Sequence, residues 1–219
     1  MCLLAIETTA SSGSYAIMKD ERIVFQDFIE LKTTHSETIM KRIDSALHSL
    51  KIEKNDLKAV CISNGPGSFT GCRIGLATAK GICTGLQVPL LPFDTLQILA
   101  SNVYGTEKNI LAIIDARMNE AYVAVFSPKL GTLVQPHCRP YAEITNNLQD
   151  EYLCVGHVHL ITESDRFQKA MLHQNMLVAS AMFSLMRHNA TDLSYDMEII
   201  NSLEPYYIRS YRTQAGIKD

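Results

Sequence analysis

The chain has 219 residues, of which 47% are hydrophobic and 20% charged, and its formal net charge is −3 at pH 7. This length suits one large or two small domains, and the apolar fraction is sufficient for a substantial core. A weakly acidic chain without a cluster of lysines or arginines lacks the charge with which proteins bind nucleic acid unaided. We therefore expect any contact with RNA to be made through another subunit.

The N-terminus and the cysteines predict a cytoplasmic protein. Residues 1–12 are too short and too uncharged for a signal peptide, and no apolar run approaches the length of a membrane span. The six cysteines form no CxxC pair, so we interpret them as buried, reduced thiols. His157 and His159 flank Val158 in an alternating stretch and could supply two metal ligands, but an exposed strand edge is the favoured interpretation.

The first half of the chain predicts three strands followed by alternating helices and strands. Thr34 and Glu37 form a capping box that starts the first helix. The strands are predicted over residues 3–6, 14–18, 22–28, 58–63 and 88–91, and the helices over residues 34–50, 69–86 and 95–103. The order βββαβαβα indicates a mixed sheet with helices on both faces.

The second half reopens in the same way as the first. A strand that ends in an acid, Leu4–Glu7, is echoed by Ala112–Asp115, and each is followed by a turn and a second strand. This internal repeat predicts two related lobes, over residues 1–105 and 106–205, with residues 206–219 as a C-terminal segment of unknown role. Beyond residue 128 the pattern weakens. It leaves a strand over residues 152–156 and a Met-rich helix over residues 175–187.

Six of the 11 glycines lie between residues 65 and 85, and two of them, Gly75 and Gly81, fall inside a predicted helix. Glycine inside a helix costs about 1 kcal/mol relative to alanine. The small residues that recur at every fourth position are Gly71, Gly75, Ala79 and Cys83. Two interpretations stay open: the helix packs closely on its own sheet, which is the default, or a partner helix lies along this row.

A third interpretation treats the glycines as a phosphate cradle at a helix N-terminus. A Walker motif is excluded, because no Gly-Lys-Ser/Thr follows at the required spacing. Gly65, Gly67 and Gly71 give G-x-G-x-x-x-G, which is one residue longer than the dinucleotide fingerprint. We therefore regard this interpretation as the weakest of the three.

An acid at the end of the first strand, followed by hydroxyl-bearing residues, is the other candidate for chemistry. Glu7 with Thr8, Thr9 and Ser12 can surround a phosphate, although these residues suit a plain turn equally well. The equivalent turn of the second lobe, residues 115–120, has no glycine that would let its backbone approach a phosphate. The first turn thus has the residues that one half of a nucleotide clamp needs, whereas the second turn carries bulky side chains where a phosphate would approach. This argues against catalysis by the chain alone. No HExxH, HxxxH or G-x-S-x-G motif occurs.

The stretch from Asn64 to Gly81 closely resembles the signature of the TsaB (YeaZ) family of bacterial tRNA threonylcarbamoyladenosine biosynthesis proteins. The motif residues are Gly65, Pro66, Gly67, Ser68 and Arg73, with Asp115 and Arg117 in the second lobe. Weaker matches in family order lie at residues 6–9, 35–37, 114–117 and 205–209. Cys72 replaces a usual leucine, and Glu7 stands where the family mostly carries aspartate. In having glutamate at this position the chain resembles the catalytic paralogue TsaD.

The resemblance implies an α/β fold of two actin-like (RNase H-like) lobes, each a mixed sheet with flanking helices, with the second lobe reduced. It also implies a non-catalytic pseudo-enzyme that pairs with TsaD, which transfers the threonylcarbamoyl group to a tRNA adenosine, and that is assisted by the ATPase TsaE. The chain would meet tRNA only through this complex. It would have no cofactor of its own, with ATP or ADP bound only at a subunit interface, and it could form a homodimer when isolated.

The resemblance places the contact with TsaD on the two helices of the first lobe, and so favours a partner along the small-residue row. The predicted interface residues are Gly71, Gly75, Thr78, Ala79, Ile39 and Ile43. The hairpin of Glu7, Thr8, Thr9 and Ser12 is predicted to be vestigial, and no catalytic or metal-binding residue is assigned. The alternatives are an active actin-like kinase or ATPase that uses Glu7, Thr8 and Asp115, and a glycoprotease-like metal-dependent hydrolase.

Overall fold

Two five-stranded sheets, one from each half of the chain, form the frame of the protein. The computed structural model describes residues 1–10, 12–30, 35–188 and 193–208. The first sheet contains β1 (Cys2–Glu7), β2 (Ser12–Lys19), β3 (Arg22–Glu30), β4 (Leu57–Gly65) and β5 (Leu90–Asp94). The second contains β6 (Asn109–Arg117), β7 (Glu120–Phe126), β8 (Thr132–Pro140), β9 (Tyr152–Gly156) and β10 (Phe167–Lys169).

Both sheets have the same strand arrangement. Their orders are β3-β2-β1-β4-β5 and β10-β9-β6-β7-β8, so that each strand of the first half has a counterpart five strands later. In each sheet the first strand is antiparallel to the second and parallel to the fourth. The predicted mixed-sheet α/β fold, with two related halves, is confirmed.

The helices are α1 (His35–Ser49), α2 (Phe69–Leu86), α3 (Thr95–Ser101), α4 (Ala181–His188) and α5 (Met197–Ser202). The first half follows the predicted order βββαβαβα, and α2 has the predicted bounds. This helix begins where the Ser68 hydroxyl accepts a hydrogen bond from the Gly71 amide, and it ends at Gln87 in the left-handed conformation. The predicted capping box at Thr34 lies outside the described residues.

The second half has a different covering from the first. Where α1 and α2 connect strands of the first sheet, the second sheet has short 3-10 turns at Tyr141–Glu143 and Val158–Leu160. The predicted helix over residues 175–187 is wrong at its start, because α4 begins only at Ala181. Two hydrogen bonds hold the irregular segment 176–180 that precedes it: Asn102 Nδ2 donates to the Met176 carbonyl, and the Ser14 hydroxyl accepts from the Ala179 amide.

The core has three layers. Helices α3 and α4 lie between the two sheets, where Leu96, Leu99 and Met182 are almost fully buried. Helices α1 and α2 cover the other face of the first sheet, and a smaller apolar cluster covers the other face of the second. Ile200 of α5 also joins the core beneath α1 and α2. The last helix therefore packs on the first half of the chain, although its sequence position follows the second sheet.

Five of the six cysteines are buried and the sixth, Cys138, is half-buried on β8; none of the six forms a disulfide bond. Burial raises the pKa of Cys61, Cys83 and Cys154 to about 12, so these thiols stay protonated. In the described parts of the chain, no helix combines the length and the hydropathy that crossing a bilayer requires.

Candidate functional site

The parallel strands β1, β4 and β5 end at one edge of the first sheet, where a small polar cluster is buried. Glu7, Thr9, Ser63 and Thr95 are each at most 2% exposed. Glu7 Oε1 accepts hydrogen bonds from the amide of Thr9 at 2.6 Å and from its hydroxyl at 2.5 Å. The hydroxyl oxygens of Ser63 and Thr95 are 2.9 Å apart, and that of Thr95 lies 3.3 Å from the Thr9 hydroxyl. The polar ends of three strands thus meet inside the protein.

Glu7 is the acid of this cluster, and its carboxyl group is only partly satisfied. Its Oε2 is buried and has no hydrogen-bond partner among the described residues. Burial raises the pKa of Glu7 to about 7, against the opposing effect of the two hydrogen bonds from Thr9. Burial therefore favours the protonated form of this carboxyl group well above the pH at which an exposed glutamate ionises.

The loop Gly65–Gly71, which we call the roof loop, closes over the turn that follows Glu7. The Ser68 amide donates to the Thr9 carbonyl at 2.6 Å, and the Thr8 hydroxyl donates to the Gly71 carbonyl at 2.7 Å. A side chain at Gly67 or Gly71 would collide with the carbonyl groups of Thr9 or Thr8. These glycines therefore serve the close approach of two backbone segments.

This arrangement does not fit a phosphate at the predicted hairpin. Glu7, Thr8 and Thr9 lie together as predicted, but all three are buried beneath the roof loop, and Ser12 is half-buried at the start of β2. The amides and hydroxyls that would surround an anion already bond within the chain. The space in front of the hairpin is filled by the protein itself.

A C-terminal strap, residues 203–207, crosses the roof loop. The Asn64 carbonyl accepts from the Tyr206 amide at 2.8 Å, and Asn64 Nδ2 donates to the Glu204 carbonyl at 2.9 Å. Arg73 Nε donates to the Tyr207 hydroxyl at 3.1 Å, and the Arg73 guanidinium lies 3.8 Å from the centre of the Phe69 ring. The rings of Phe69 and Tyr207 stack at 5.0 Å. Through its contacts with Tyr207 and Phe69, Arg73 therefore holds the strap against the start of α2.

The small-residue row of α2, which we call the inner row, faces the sheet. Its members Gly71, Gly75, Ala79 and Cys83 are all buried. A side chain at Gly75 would collide with the Thr8 hydroxyl and approach Ile62 Cδ1 to 3.2 Å. The prediction that a partner helix lies along this row is therefore wrong, because α2 needs small residues to lie close to β1 and β4.

The same correction applies to most of the other predicted interface residues. Ile39 and Ile43 of α1 are each 3% exposed and belong to the core between the helices and the sheet. Their apolar side chains pack in the core of the chain itself and leave almost no surface for a partner. Thr78 differs, since it is half-buried at the margin of the exposed face of α2.

A second row of small residues lies on the opposite face of α2 and is exposed. This outer row consists of Ala77, Gly81 and Gly85, again four residues apart. A Cβ atom added at Gly81 or Gly85 would meet no atom of the described residues within 4 Å, apart from their chain neighbours and the backbone of α2 itself. The fold of the described chain thus does not require glycine at either position.

Beside the outer row lies an apolar groove between α1 and α2, which we call the α1–α2 groove. It encloses about 240 Å³. Its apolar lining comes from Met40, Ile43, Leu47, Leu57, Ile82 and Leu86, together with the two outer glycines. Met40 is 46% exposed at its edge, and an ion pair of 2.7 Å between Lys54 and Asp44 closes one end. The outer row and this apolar groove therefore lie on the same exposed face of α1 and α2.

The equivalent turn of the second lobe is held by its own side chains. Asp115 Oδ1 accepts from the Arg117 amide and from the Tyr141 hydroxyl, each at 2.7 Å. Partial burial opposes ionisation of Asp115, but the bonds from Tyr141 and Arg117 lower its pKa overall. Arg117, Met118 and Asn119 all have positive φ, which folds the turn tightly. Asp115 is a structural acceptor in this turn.

His157 and His159 do not share a strand face as predicted, because β9 ends at Gly156 and His159 lies in a 3-10 turn. Their rings are 5.7 Å apart, and His157 Nδ1 accepts from the Asp115 amide at 3.3 Å. Burial lowers the pKa of His157. Within the described residues, no three side chains of His, Cys, Asp or Glu are grouped so that they could hold a metal ion.

Comparison with known proteins then assigns the chain to a family. The model for "TsaD: tRNA N6-adenosine threonylcarbamoyltransferase" matches residues 30–188, more than two thirds of the chain. The chain belongs to this family, in its TsaB (YeaZ) branch. The predicted family membership is confirmed.

Two relatives are named "tRNA threonylcarbamoyladenosine biosynthesis protein TsaB". The Bacillus subtilis (strain 168) protein is 31% identical over 135 residues, which cover 62% of this chain and 59% of that protein. The Escherichia coli (strain K12) protein is 34% identical over 130 residues, or 58% of this chain and 55% of that protein. The matched segments therefore span little more than half the length of these relatives.

The solved structure "YeaZ from Pseudomonas aeruginosa" is similar to 94% of this chain and 99% of that chain, with a TM-score of 0.78 at 21% identity. At this identity the likeness concerns the fold. It agrees with the repeated five-stranded sheets and confirms the actin-like (RNase H-like) α/β fold.

The TsaB motif residues take structural roles in this chain, whereas several site residues were missed from the sequence. Gly65, Pro66, Gly67 and Ser68 build the roof loop, and Arg73 holds the strap. The missed residues are Ser63, Thr95, Tyr207, Met40 and Gly85. A signal for the outer row was available, since residues 77, 81 and 85 repeat every fourth position as the inner row does.

Proposed function

We propose that this chain is a non-catalytic subunit in the biosynthesis of threonylcarbamoyladenosine in tRNA, and that it pairs with a catalytic TsaD protein assisted by TsaE. The observation that carries the proposal is the exposed face of α1 and α2, with its outer row and its groove. In the TsaB family these two helices are the expected contact with TsaD.

The energetics of α2 support an external partner. Glycines 81 and 85 cost the helix about 2 kcal/mol together relative to alanine, and no described contact offsets this cost. A row of small residues lets another helix approach until the two backbones nearly touch. The adjoining groove and the half-exposed Met40 add apolar surface that association would bury.

The state of the two hairpin turns supports a role without catalysis. The first turn is closed by the roof loop, and the acid of the second turn is engaged by Tyr141. A chain with net charge −3 and no basic cluster is also suited to meeting tRNA through its partner. We expect the purified chain alone neither to hydrolyse ATP nor to modify tRNA.

The direct test is binding of the full chain to TsaD from the same organism, measured by calorimetry. We expect Met40→Glu to weaken binding at least tenfold, because the new carboxylate would be buried in an apolar contact. The matched control is Met171→Glu, which changes a methionine of the second lobe that is 68% exposed and should leave binding unchanged. Unaltered affinity of the Met40 variant would exclude the α1–α2 groove as the contact.

A separate assay addresses the catalytic role. TsaD with TsaE and tRNA should form threonylcarbamoyladenosine faster when the chain is added, and the Met40 variant should fail to stimulate. Turnover by the isolated chain that Glu7→Ala abolishes would refute the non-catalytic proposal and favour the kinase or ATPase alternative.

A further inference from the structure

The carboxyl group of Glu7 is sealed beneath two successive layers of the chain. The roof loop covers it through the bonds between Ser68 and Thr9 and between Thr8 and Gly71. The C-terminal strap then covers the start of the roof loop, where the Tyr206 carbonyl lies against Gly65. Glu7 is 0% exposed beneath these layers, and its Oε2 has no partner among the described residues.

Among the described residues, no positive charge compensates this carboxyl group when it ionises. The Cys72 thiol of α2 lies near this carboxyl group. The pKa of the thiol is raised mainly by burial and to a smaller extent by the charge of Glu7. From β4, α3 and its own turn, Glu7 meets the hydroxyl groups of Ser63, Thr95 and Thr9. The next acid along this edge is Asp94, at the N-terminus of α3, whose pKa burial raises to about 6. Within the described part of the chain, an ionised Glu7 is therefore stabilised by the two bonds from Thr9 alone.

We propose that the roof loop opens reversibly as Glu7 loses its proton, and that the C-terminal strap sets how readily it opens. Ionisation leaves a buried charge with one unpartnered oxygen, and hydration in an open form relieves it. Proton loss and opening are therefore linked. The strap opposes opening at any pH, because Arg73 and Asn64 hold Tyr207, Tyr206 and Glu204 across the loop.

The size of the coupling follows from the two environments of Glu7. Its pKa is about 7 under the closed roof and 4.5 when fully hydrated. The ratio of open to closed forms should therefore rise by up to about 150-fold between pH 4.5 and pH 8, most of it below pH 7. If only part of the hydration is recovered in the open form, the rise is smaller but keeps the same sign.

Hydrogen exchange followed by mass spectrometry on the full chain tests this linkage. After correction for the intrinsic pH dependence of exchange, we expect the amides of residues 65–71 to open more often as the pH rises from 5 to 8. The Glu7→Gln variant should lose this dependence, because its side chain cannot ionise. The strand Tyr152–Gly156 serves as the internal reference and should show no parallel change.

The strap is tested by Arg73→Ala, which should increase roof-loop opening at every pH and leave the pH dependence in place. Arg42→Ala is the matched control, since Arg42 pairs with Asp27 on β3, the edge strand away from β4 and β5, and should leave the loop unchanged. A roof loop whose exchange is independent of pH, or a Glu7→Gln chain that keeps the wild-type dependence, would overturn the proposal. Equal changes in the reference strand would do the same, because they would indicate unfolding of the whole chain.

If Glu7→Gln does not fold, carbon NMR of the wild-type glutamate carboxyl groups gives a second test. The proposal requires one carboxyl group that titrates near pH 7, in step with amide shifts of Ser68 and Gly71. Titration of all glutamates near their ordinary value would overturn it.

Discussion

The inner and outer rows of α2 have the same spacing and the same small residues, but they differ in what they contact. Gly75 of the inner row lies against Thr8 and Ile62, whereas a Cβ atom added at Gly81 of the outer row would meet no side chain of the described residues beyond its chain neighbours. The first row is required by the fold of the chain and the second is not. A glycine in a helix is therefore explained only when its neighbours are known.

The largest expected effect comes from breaking the inner row. Gly75→Leu would drive a side chain into the Thr8 hydroxyl and the Ile62 side chain, both anchored in the buried sheet. We expect a loss of at least about 3 kcal/mol in the free energy of unfolding, or no folded protein. Urea denaturation and far-ultraviolet circular dichroism measure this. A stable Gly75→Leu chain would contradict the assignment of the inner row.

The close packing of the inner row brings the roof loop over Glu7 and buries it. The pH dependence of the free energy of unfolding measures this burial. A carboxyl group with a raised pKa holds its proton more tightly in the folded chain, so stability falls as the pH rises from 4.5 to about 7. For Glu7 this loss is on the order of 3 kcal/mol, and it is complete above that range. Asp94 adds a loss between its ordinary value of 3.8 and about 6.

Urea denaturation at several pH values, on the wild type and on Glu7→Gln, measures the contribution of Glu7. The variant should keep only the part of the pH dependence that Asp94 and other groups contribute. If the two chains lose stability in parallel between pH 6 and pH 7.5, Glu7 is not buried as described.

The smallest expected effect is that of replacing a glycine by alanine. The resulting change in the free energy of unfolding should have opposite signs in the inner and outer rows. Gly81→Ala and Gly85→Ala should each raise the free energy of unfolding by about 1 kcal/mol, since alanine favours the helix and meets open space. Gly75→Ala should lower it, because its methyl group has no room beside Thr8. Thermal denaturation of the three variants suffices. The same sign at Gly75 and Gly81 would mean that the rows do not differ in packing.

Much of the first half could be predicted from the sequence, because local patterns decide it. The bounds of α2 follow from Ser68 at its start and the apolar periodicity beyond, and the repeat of Leu4–Glu7 in Ala112–Asp115 predicted the second sheet. The face that α2 buries could not be predicted, since both rows are small and both recur every fourth residue. Only the position of β1 beneath the helix decides between them.

Contacts between residues far apart in the chain could not be predicted from the sequence either. The bond between Arg73 and Tyr207 joins residues 134 positions apart, and nothing near either residue indicates the other. The late start of α4 has a similar cause, because the Ser14 hydroxyl of β2 accepts from the Ala179 amide in the turn before the helix. The polar cluster around Glu7 likewise depends on three strand ends that meet only in the folded sheet.

The distribution of thiols has a practical consequence for measurements on this protein. Cys138 is the one half-buried cysteine, and the other five are inaccessible in the folded chain. A maleimide dye added to the native protein should therefore attach at β8, an edge strand of the second sheet, whereas the α1–α2 groove lies over the first sheet. A fluorescent reporter for association can thus be introduced without mutagenesis and without covering the surface under test.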